Sequence, residues 1–181
     1  MGSSRTVLCR EGTTTNPVAR SGLPAPPNLR IQAARGADSV RIASDLIQEY
    51  ARGLGFPLDF QDFDQEIRML PGDYAPPRGE LLLAWVGTAA AGCVGLRPLE
   101  DEVCEMKRLY VREAYRGHRV GRELARAIVD RARALGYHRM RLDTVPSMTA
   151  AQTLYRAMGF VEIPPYRFNP IPGALFFEIR L

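Results

Sequence analysis

One stretch of this sequence restricts the fold more than any other, because a strand, a glycine-containing turn and a long amphipathic helix follow one another directly. The strand is Val103–Val111, the turn lies within Arg116–Arg122, and the helix ends before Gly136, which predicts a left-handed stop. The apolar residues at helical spacing on this helix are Leu124, Ile128, Ala132 and Leu135. A unit of this kind predicts a mixed α/β fold.

Hydrophobic periodicity and turn residues predict the remaining elements. The other expected strands are Leu29–Ala33, Glu80–Val86, Ala91–Leu99, Arg139–Val145, Val161–Ile163 and Ala174–Leu181. The other expected helices are one capped by Asp38 or Ser39 and ending near Gly53, a shorter one over Asp62–Leu70, and Thr149–Met158. The order βααββ followed by βαβαββ predicts an α/β sheet with helices on both faces.

Length and composition limit the class of protein. Gly12–Asn28 is rich in Thr, Pro, Gly and Ser, so we expect residues 1–29 to form a flexible tail and residues 30–181 a single domain. The sequence shows no apolar run of ~18 residues and no N-terminal signal layout, which predicts a cytoplasmic protein without membrane contact. Three cysteines, none in a CxxC, and two histidines predict neither a disulfide scaffold nor a metal site.

Charge is distributed unevenly along the chain. Residues 1–105 carry 10 basic and 14 acidic groups, whereas residues 106–181 carry 14 basic and 6 acidic groups. A basic half suggests an anionic ligand and an acidic half a cationic one, although ordinary solvated faces explain the same counts. Lys107 is the single lysine among 24 basic residues.

The turn before the long helix suits an anion. Gly117 and Gly121 stand at a helix start, where backbone N–H groups lack intrahelical partners and the helix dipole adds positive charge. The pattern is neither GxxxxGK[ST] nor GxGxxG, which disfavours a phosphate loop of that type and a dinucleotide site. Turn geometry alone explains the two glycines equally well.

A second motif lies in the last helix, within Ala150–Phe160. Thr149 and Gln152 predict a capping box, and Gly159 predicts the end of the helix with Phe160 folded back on it. The apolar core face that this helix could equally form consists of Leu154, Tyr155 and Met158.

Together these two motifs resemble the GCN5-related N-acetyltransferase (GNAT) family. The first motif is Val111, five residues, and Gly117-His118-Arg119-Val120-Gly121-Arg122. The second, one helix and one strand later, is Ala151-x-x-Leu154-Tyr155-x-x-x-Gly159-Phe160. The resemblance extends from about Leu29 to Leu181, and the segment from Tyr166 through Asn169-Pro170 to Ala174 resembles a bacterial subgroup of this family.

The resemblance implies a mixed, mostly antiparallel central sheet that splits into a V between its fourth and fifth strands. It also implies acetyl-CoA as co-substrate, without a metal. The residues implied for coenzyme binding are Leu109, Tyr110, Val111, Arg116, Gly117, His118, Arg119, Val120, Gly121 and Arg122. Two positions depart from the family pattern: Arg119 replaces a glycine where a positive φ is costly, and Met148 replaces the usual asparagine before the last helix.

The chemistry of acetyl transfer suggests roles for single residues. The reaction needs a neutral amine, a polarised carbonyl and a proton for the leaving thiolate. A backbone N–H near Val111 can polarise the carbonyl. Tyr155 matches the family residue that protonates the thiolate, and its ordinary pKa near 10 keeps the proton in place. Glu105, near the split, is the expected base, directly or through water; a salt bridge with Lys107 or a nearby arginine explains it equally well.

The predicted activity is transfer of an acetyl group to the primary amine of a small molecule or peptide by direct attack in a ternary complex. The first two helices line the acceptor groove in this family, and acidic residues there favour a cationic amine unless they form a solvated face. These acidic residues are Asp59, Asp62, Asp64 and Glu66.

Two other functions remain open from the sequence. A catalytically silent member of the same fold could sense acyl-CoA, and the arginines of the long helix could bind nucleic acid. Those arginines are spread around the helix and alternate with Glu123 and Asp130, which disfavours nucleic acid. The sequence also leaves open whether the chain forms a homodimer.

Overall fold

The computed structural model describes residues 23–55, 58 and 62–181. The strands are β1 (Leu29–Ala33), β2 (Glu80–Val86), β3 (Ala89–Pro98), β4 (Val103–Val111), β5 (Arg139–Thr144), β6 (Val161–Ile163) and β7 (Leu175–Arg180). The α-helices are α1 (Ala37–Arg52), α2 (Phe63–Met69), α3 (Val120–Ala134) and α4 (Thr149–Ala157). Most of the predicted tail lies outside the described residues, so the division into tail and domain stays a prediction.

The seven strands form one sheet in the order β1-β2-β3-β4-β5-β7-β6. All neighbouring pairs are antiparallel except β4 and β5, which are parallel. The predicted mixed, mostly antiparallel sheet is therefore confirmed. Within the described ranges, none of the helices combines the length and the apolar character that a bilayer crossing requires.

The sheet opens between β4 and β5. The two strands pair only where Val103–Glu105 meets Arg139–Arg141. Beyond that register, β4 continues from Met106 to Val111 and β5 from Leu142 to Thr144 without pairing to each other. This confirms the predicted split between the fourth and fifth strands, and it leaves backbone hydrogen-bonding groups of β4 available to a ligand.

Helices cover both faces of the sheet because alternate residues of its strands point to opposite sides. On β2, Leu82 packs in the core that contains Leu124 of α3, whereas Leu83 packs in the core that contains Leu46 of α1. All four side chains are at most 7% exposed. Burial of each such leucine contributes roughly 1.5–3 kcal/mol, so both helices are fixed against the sheet by apolar packing.

The N-termini of two helices differ from the predictions made from local sequence. Gly36, with φ 79°, is the N-cap of α1, and the expected caps Asp38 and Ser39 lie inside its first turn. The capping box predicted from Thr149 and Gln152 was also wrong, since Met148 is the N-cap of α4 and no side chain in the described part of the chain caps this helix.

Gln152 instead supports the loop between β5 and α4, where its amide donates to Val145 O at 2.9 Å and to Pro146 O at 3.3 Å. The helix stops were predicted correctly: Gly136 and Gly159 have φ values of 83° and 92°.

Candidate active site

A cleft of about 580 Å³ occupies the opening between β4 and β5, and we call it the split cleft. One wall is β4 from Met106 to Val111, and the other is Asp143–Val145. The end of α1 and the start of α4 close its sides, with Tyr50 and Tyr155 among the lining residues. Residues far apart in sequence therefore meet around one cavity that is large enough for a small-molecule ligand.

One end of the split cleft reaches the N-terminus of α3. Five of the ten residues predicted to bind coenzyme line the cleft, and these are Leu109, Tyr110, Val111, Arg116 and Gly121. The other five, Gly117, His118, Arg119, Val120 and Arg122, form the adjoining turn and the first turn of α3. The side chain of Val120 is buried in the core, so only its backbone can contact a ligand there.

The turn before α3 has the geometry of an anion site. Gly117 and Arg119 both have positive φ, at 80° and 59°, so the arginine adopts the left-handed conformation that the sequence suggested would be costly. Among the described residues, no side chain caps α3, which leaves its first N–H groups available at the positive end of the helix dipole. Arg116 Nε donates to Val111 O at 3.0 Å and ties the turn to the end of β4.

A β-bulge interrupts β4 beside the split cleft. Lys107 pairs with Gly95 and Tyr110 pairs with Cys93, so β4 has one residue more than β3 in this interval. Arg108 lies in the bulge with φ 57°, which is rare for a residue with a side chain. Bulges change the course of a strand and concentrate near functional sites, which fits the divergence of β4 from β5 here.

The end of the split cleft away from α3 contains a hydrogen-bonded chain of polar side chains. Lys107 Nζ lies 3.2 Å from Asp143 Oδ1, and Asn169 Nδ2 donates to Asp143 Oδ2 at 2.9 Å. Burial lowers the pKa of Lys107, while the carboxylates of Glu105 and Asp143 oppose that shift. Neither motif includes the pair of Lys107 and Asp143, and the only sequence signal for it was the presence of one lysine in an arginine-rich chain.

The described residues of the predicted acidic groove, Asp62, Asp64 and Glu66, do not line the split cleft. Glu66 of α2 binds Arg108 through two hydrogen bonds, at 2.8 and 2.6 Å, and it accepts a third from Tyr74. Asp62 and Glu66 line a separate cavity of about 340 Å³, and Asp59 lies outside the described residues. Among the described residues, Asp143 is the single carboxylate that lines the split cleft.

Tyr155 lies between the core and the split cleft. Its ring packs near Phe160 and Phe177, with centroids 5.7 and 6.3 Å away, and the residue also lines the cleft. Burial raises the pKa of Tyr155 above the usual value, so the hydroxyl keeps its proton at neutral pH. None of the described residues hydrogen-bonds this hydroxyl, which leaves its proton available to a molecule in the cleft.

Glu105 is buried behind the wall of the cleft, at 0% exposure. Its carboxylate accepts hydrogen bonds from Arg97 at 2.8 Å, Tyr166 at 2.7 Å and Arg167 at 2.9 Å. Burial alone would raise its pKa, but Lys107, Arg97 and Arg167 lower it to about 2. This geometry favours the ion-pair interpretation over the predicted role as base, since the carboxylate is fully bonded and binds a proton only weakly.

We expect Glu105→Gln to lower the free energy of unfolding by about 3–5 kcal/mol, because Arg97 and Arg167 would keep largely buried charges without a counter-ion. The pKa of about 2 lies below the ordinary 4.5, so this stabilisation is present above about pH 4.5 and is lost as the pH falls toward 2. Urea unfolding measures both effects.

The matched control is Glu102→Gln, which removes an exposed carboxylate paired with His138. That change should cost less than about 1 kcal/mol. Equal losses for the two variants would contradict the role given to Glu105.

Comparison with known proteins identifies a matching family and similar relatives. The Acetyltransferase (GNAT) family matches residues 43–160. An uncharacterized N-acetyltransferase of Schizosaccharomyces pombe is 37% identical over 86% of this chain and 97% of its own length.

Solved structures show the same fold. An acetyltransferase from Streptococcus agalactiae superposes with a TM-score of 0.70 at 22% identity, covering 86% of this chain and 99% of that one. A GNAT family acetyltransferase from Elizabethkingia anophelis with acetyl-CoA bound superposes with a TM-score of 0.63 at 21% identity, covering 86% of this chain and 99% of that one. Because the family match spans more than half of the chain, and the sheet splits where the motifs predicted, this protein belongs to the GNAT family of acetyltransferases.

Proposed function

We propose that this protein transfers the acetyl group of acetyl-CoA to the primary amine of a small molecule or peptide, by direct attack within a ternary complex. The observation that carries the proposal is the continuity of the split cleft. A single cavity joins the edge of β4 that does not pair with β5, the N-terminus of α3, the phenol of Tyr155 and the carboxylate of Asp143.

The coenzyme would occupy the half of the cleft next to α3. The backbone of Leu109–Val111 pairs with β3 on one side but not with β5 on the other, and on that open side it can receive an extended amide chain as an added strand. The N–H groups of Val120–Arg122, with Arg116 beside them, can hold a pyrophosphate. These residues fit the group through backbone donors and one cation, and no metal is needed in this assignment.

The remaining residues account for two protons. When the new C–N bond forms and the C–S bond breaks, the acceptor nitrogen loses a proton and the departing sulfur gains one. Tyr155 would supply the second proton, because its hydroxyl stays protonated beside the cleft. Asp143 would receive the first, directly or through water, because its carboxylate lines the cleft and each of its oxygens accepts one hydrogen bond from a described residue, which leaves a lone pair for the proton. Glu105 would stabilise the surrounding structure.

Binding of the coenzyme has a thermal signature. We expect acetyl-CoA to raise Tm, since a ligand at 100 times its Kd stabilises the native state by about 2.7 kcal/mol. Analogues without the pyrophosphate should raise Tm less, because they forgo the N–H groups of α3. An unchanged Tm in ~1 mM acetyl-CoA, with no heat in calorimetry, would contradict the coenzyme site.

Turnover separates the proposed activity from the sensor alternative. Release of free thiol from acetyl-CoA should depend on an added amine when a panel of primary amines is tested. Acetyl-CoA that binds without thiol release for any amine would favour a sensor, and a salt-sensitive shift of DNA would favour the nucleic-acid alternative.

A further inference from the structure

The segment between β6 and β7, residues 164–174, is bonded to both strands that form the split, and we call it the β6–β7 segment. Tyr166 donates to Glu105 of β4 at 2.7 Å, and Asn169 donates to Asp143 of β5 at 2.9 Å. Asn169 also lines the split cleft. The segment therefore connects the two strands where they begin to diverge, and it reaches the carboxylate that we assign as the base.

The side-chain amide of Asn169 is oriented by its own segment. Its Oδ1 accepts a hydrogen bond from Ile171 N at 3.0 Å, so the oxygen end faces the backbone and the Nδ2 end faces Asp143. The opposite orientation would place an oxygen against the carboxylate and an amide N–H₂ against a backbone N–H. Asn169 can thus act only as a donor to Asp143, and the turn of the segment holds this donor in place.

The carboxylate of Asp143 is held at both oxygens, each by a different part of the fold. Lys107 of β4 lies 3.2 Å from Oδ1, and Asn169 bonds Oδ2. The side chain of Asp143 is 6% exposed. A general base acts only within hydrogen-bond reach of the proton that it takes, and a misplacement of about 1 Å can cost about 100-fold in rate. The orientation of this carboxylate therefore matters for the reaction.

We infer that Asn169 is a positioning residue for acetyl transfer, because its bond to Oδ2 holds the carboxylate of Asp143 in the orientation in which it takes the proton of the acceptor amine. The inference rests on the proposed function, in which Asp143 receives that proton. It also gives the buried carboxylate of Glu105 an indirect part in the reaction, since the hydrogen bonds that Glu105 accepts fix the segment that carries Asn169.

The first test removes the donor. Asn169→Ala should lower kcat by about 10- to 100-fold, measured with the amine of the turnover panel that releases thiol fastest. The KM for acetyl-CoA and the affinity measured by calorimetry should be unchanged, because the coenzyme is assigned to the half of the cleft next to α3. A parent-like kcat in Asn169→Ala would overturn the inference.

The second test, Asn169→Asp, keeps the shape of the side chain and the oxygen that accepts from Ile171 N. The new carboxyl would face Asp143 at about 2.9 Å, and a carboxylate so close raises the pKa of its neighbour. While the new carboxyl keeps its proton, it donates to Asp143 as the amide does, and once ionised it repels Asp143. The kcat of Asn169→Asp relative to the parent should therefore fall at least about 10-fold between about pH 5 and pH 9.

Other ionisable groups are common to the parent and both variants, so the ratio of rates isolates the change at position 169. In the described part of the chain, the groups around Asp143 and its partner Lys107 are Glu105 on β4, Tyr50 on α1, Tyr155 on α4, Arg108 in the bulge, and Tyr166 and Arg167 on the β6–β7 segment. The matched control is Asn28→Asp, the same chemical change at an exposed position before β1, which should leave the ratio at one throughout.

A purely structural role for Asn169 would lower Tm in both variants and leave their relative kcat independent of pH. A pH-independent ratio in Asn169→Asp would therefore overturn the inference, provided that Asp143→Asn itself lowers kcat. An unchanged kcat in Asp143→Asn would overturn both the inference and the role of Asp143 as base. Thiol release with none of the amines would instead contradict the proposed function itself.

Discussion

Tyr155→Phe should lower kcat by about 100-fold, at the low end of the 10²–10⁴ range for general acid catalysis. The change removes the proton that Tyr155 would donate to the leaving sulfur and keeps the ring between Phe160 and Phe177. A thiol leaves fairly well without protonation, which is why the smaller effect is expected. Affinity for acetyl-CoA should change little, because the coenzyme is assigned to the backbone of β4 and α3.

The control for this variant is Tyr137→Phe, the same chemical change away from the cleft. Tyr137 is 5% exposed and donates to Arg78 O at 2.8 Å, so its loss should cost about 1 kcal/mol of stability and leave kcat unchanged. Rates are compared where chemistry limits turnover. If Tyr155→Phe matches Tyr137→Phe in kcat, then Tyr155 is a core residue and not the acid.

Gly121→Glu should weaken acetyl-CoA binding by at least about 100-fold, since loss of two charge-assisted hydrogen bonds costs about 3 kcal/mol or more. Gly121 lines the cleft in the first turn of α3. A glutamate there would add both bulk and negative charge where the pyrophosphate is assigned. An acidic residue in the first turn interacts favourably with the helix dipole, so the variant should remain folded. Circular dichroism checks that it does.

Gly121→Ala separates the two causes of that loss. A Cβ at this position would lie 3.5 Å from Val111 Cγ2, an ordinary contact, so the alanine variant should bind acetyl-CoA nearly as the parent does. Retained affinity in a folded Gly121→Glu protein, measured by calorimetry, would place the pyrophosphate elsewhere.

Strands were easier to predict than helix ends. Leu29–Ala33, Val103–Val111 and Val161–Ile163 match the predicted strands to the residue, because each is a β-favouring run bounded by turn residues. The start of α1 was missed because Asp38 and Ser39 are both good capping residues, and only the backbone conformation of Gly36 decides where the helix begins.

The two halves of the split cleft also differ in how well the sequence predicts them. The half next to α3 is formed by one continuous stretch of sequence, so a sequence motif predicts it. The other half depends on pairs such as Lys107 with Asp143 and Arg108 with Glu66, whose members lie 36 and 42 residues apart. No local pattern encodes such a pair, because the divergence of β4 from β5 and the bulge in β4 bring the partners together.

The fate of a labelled acetyl group tests the central claim most directly. The protein is incubated with acetyl-CoA labelled on the acetyl carbonyl and with an amine that supports thiol release. Direct transfer should give one labelled amide for each free thiol, and the intact mass of the protein should be unchanged when the reaction is quenched during turnover. Thiol release without amide, or label bound covalently to the protein, would contradict direct transfer in the split cleft.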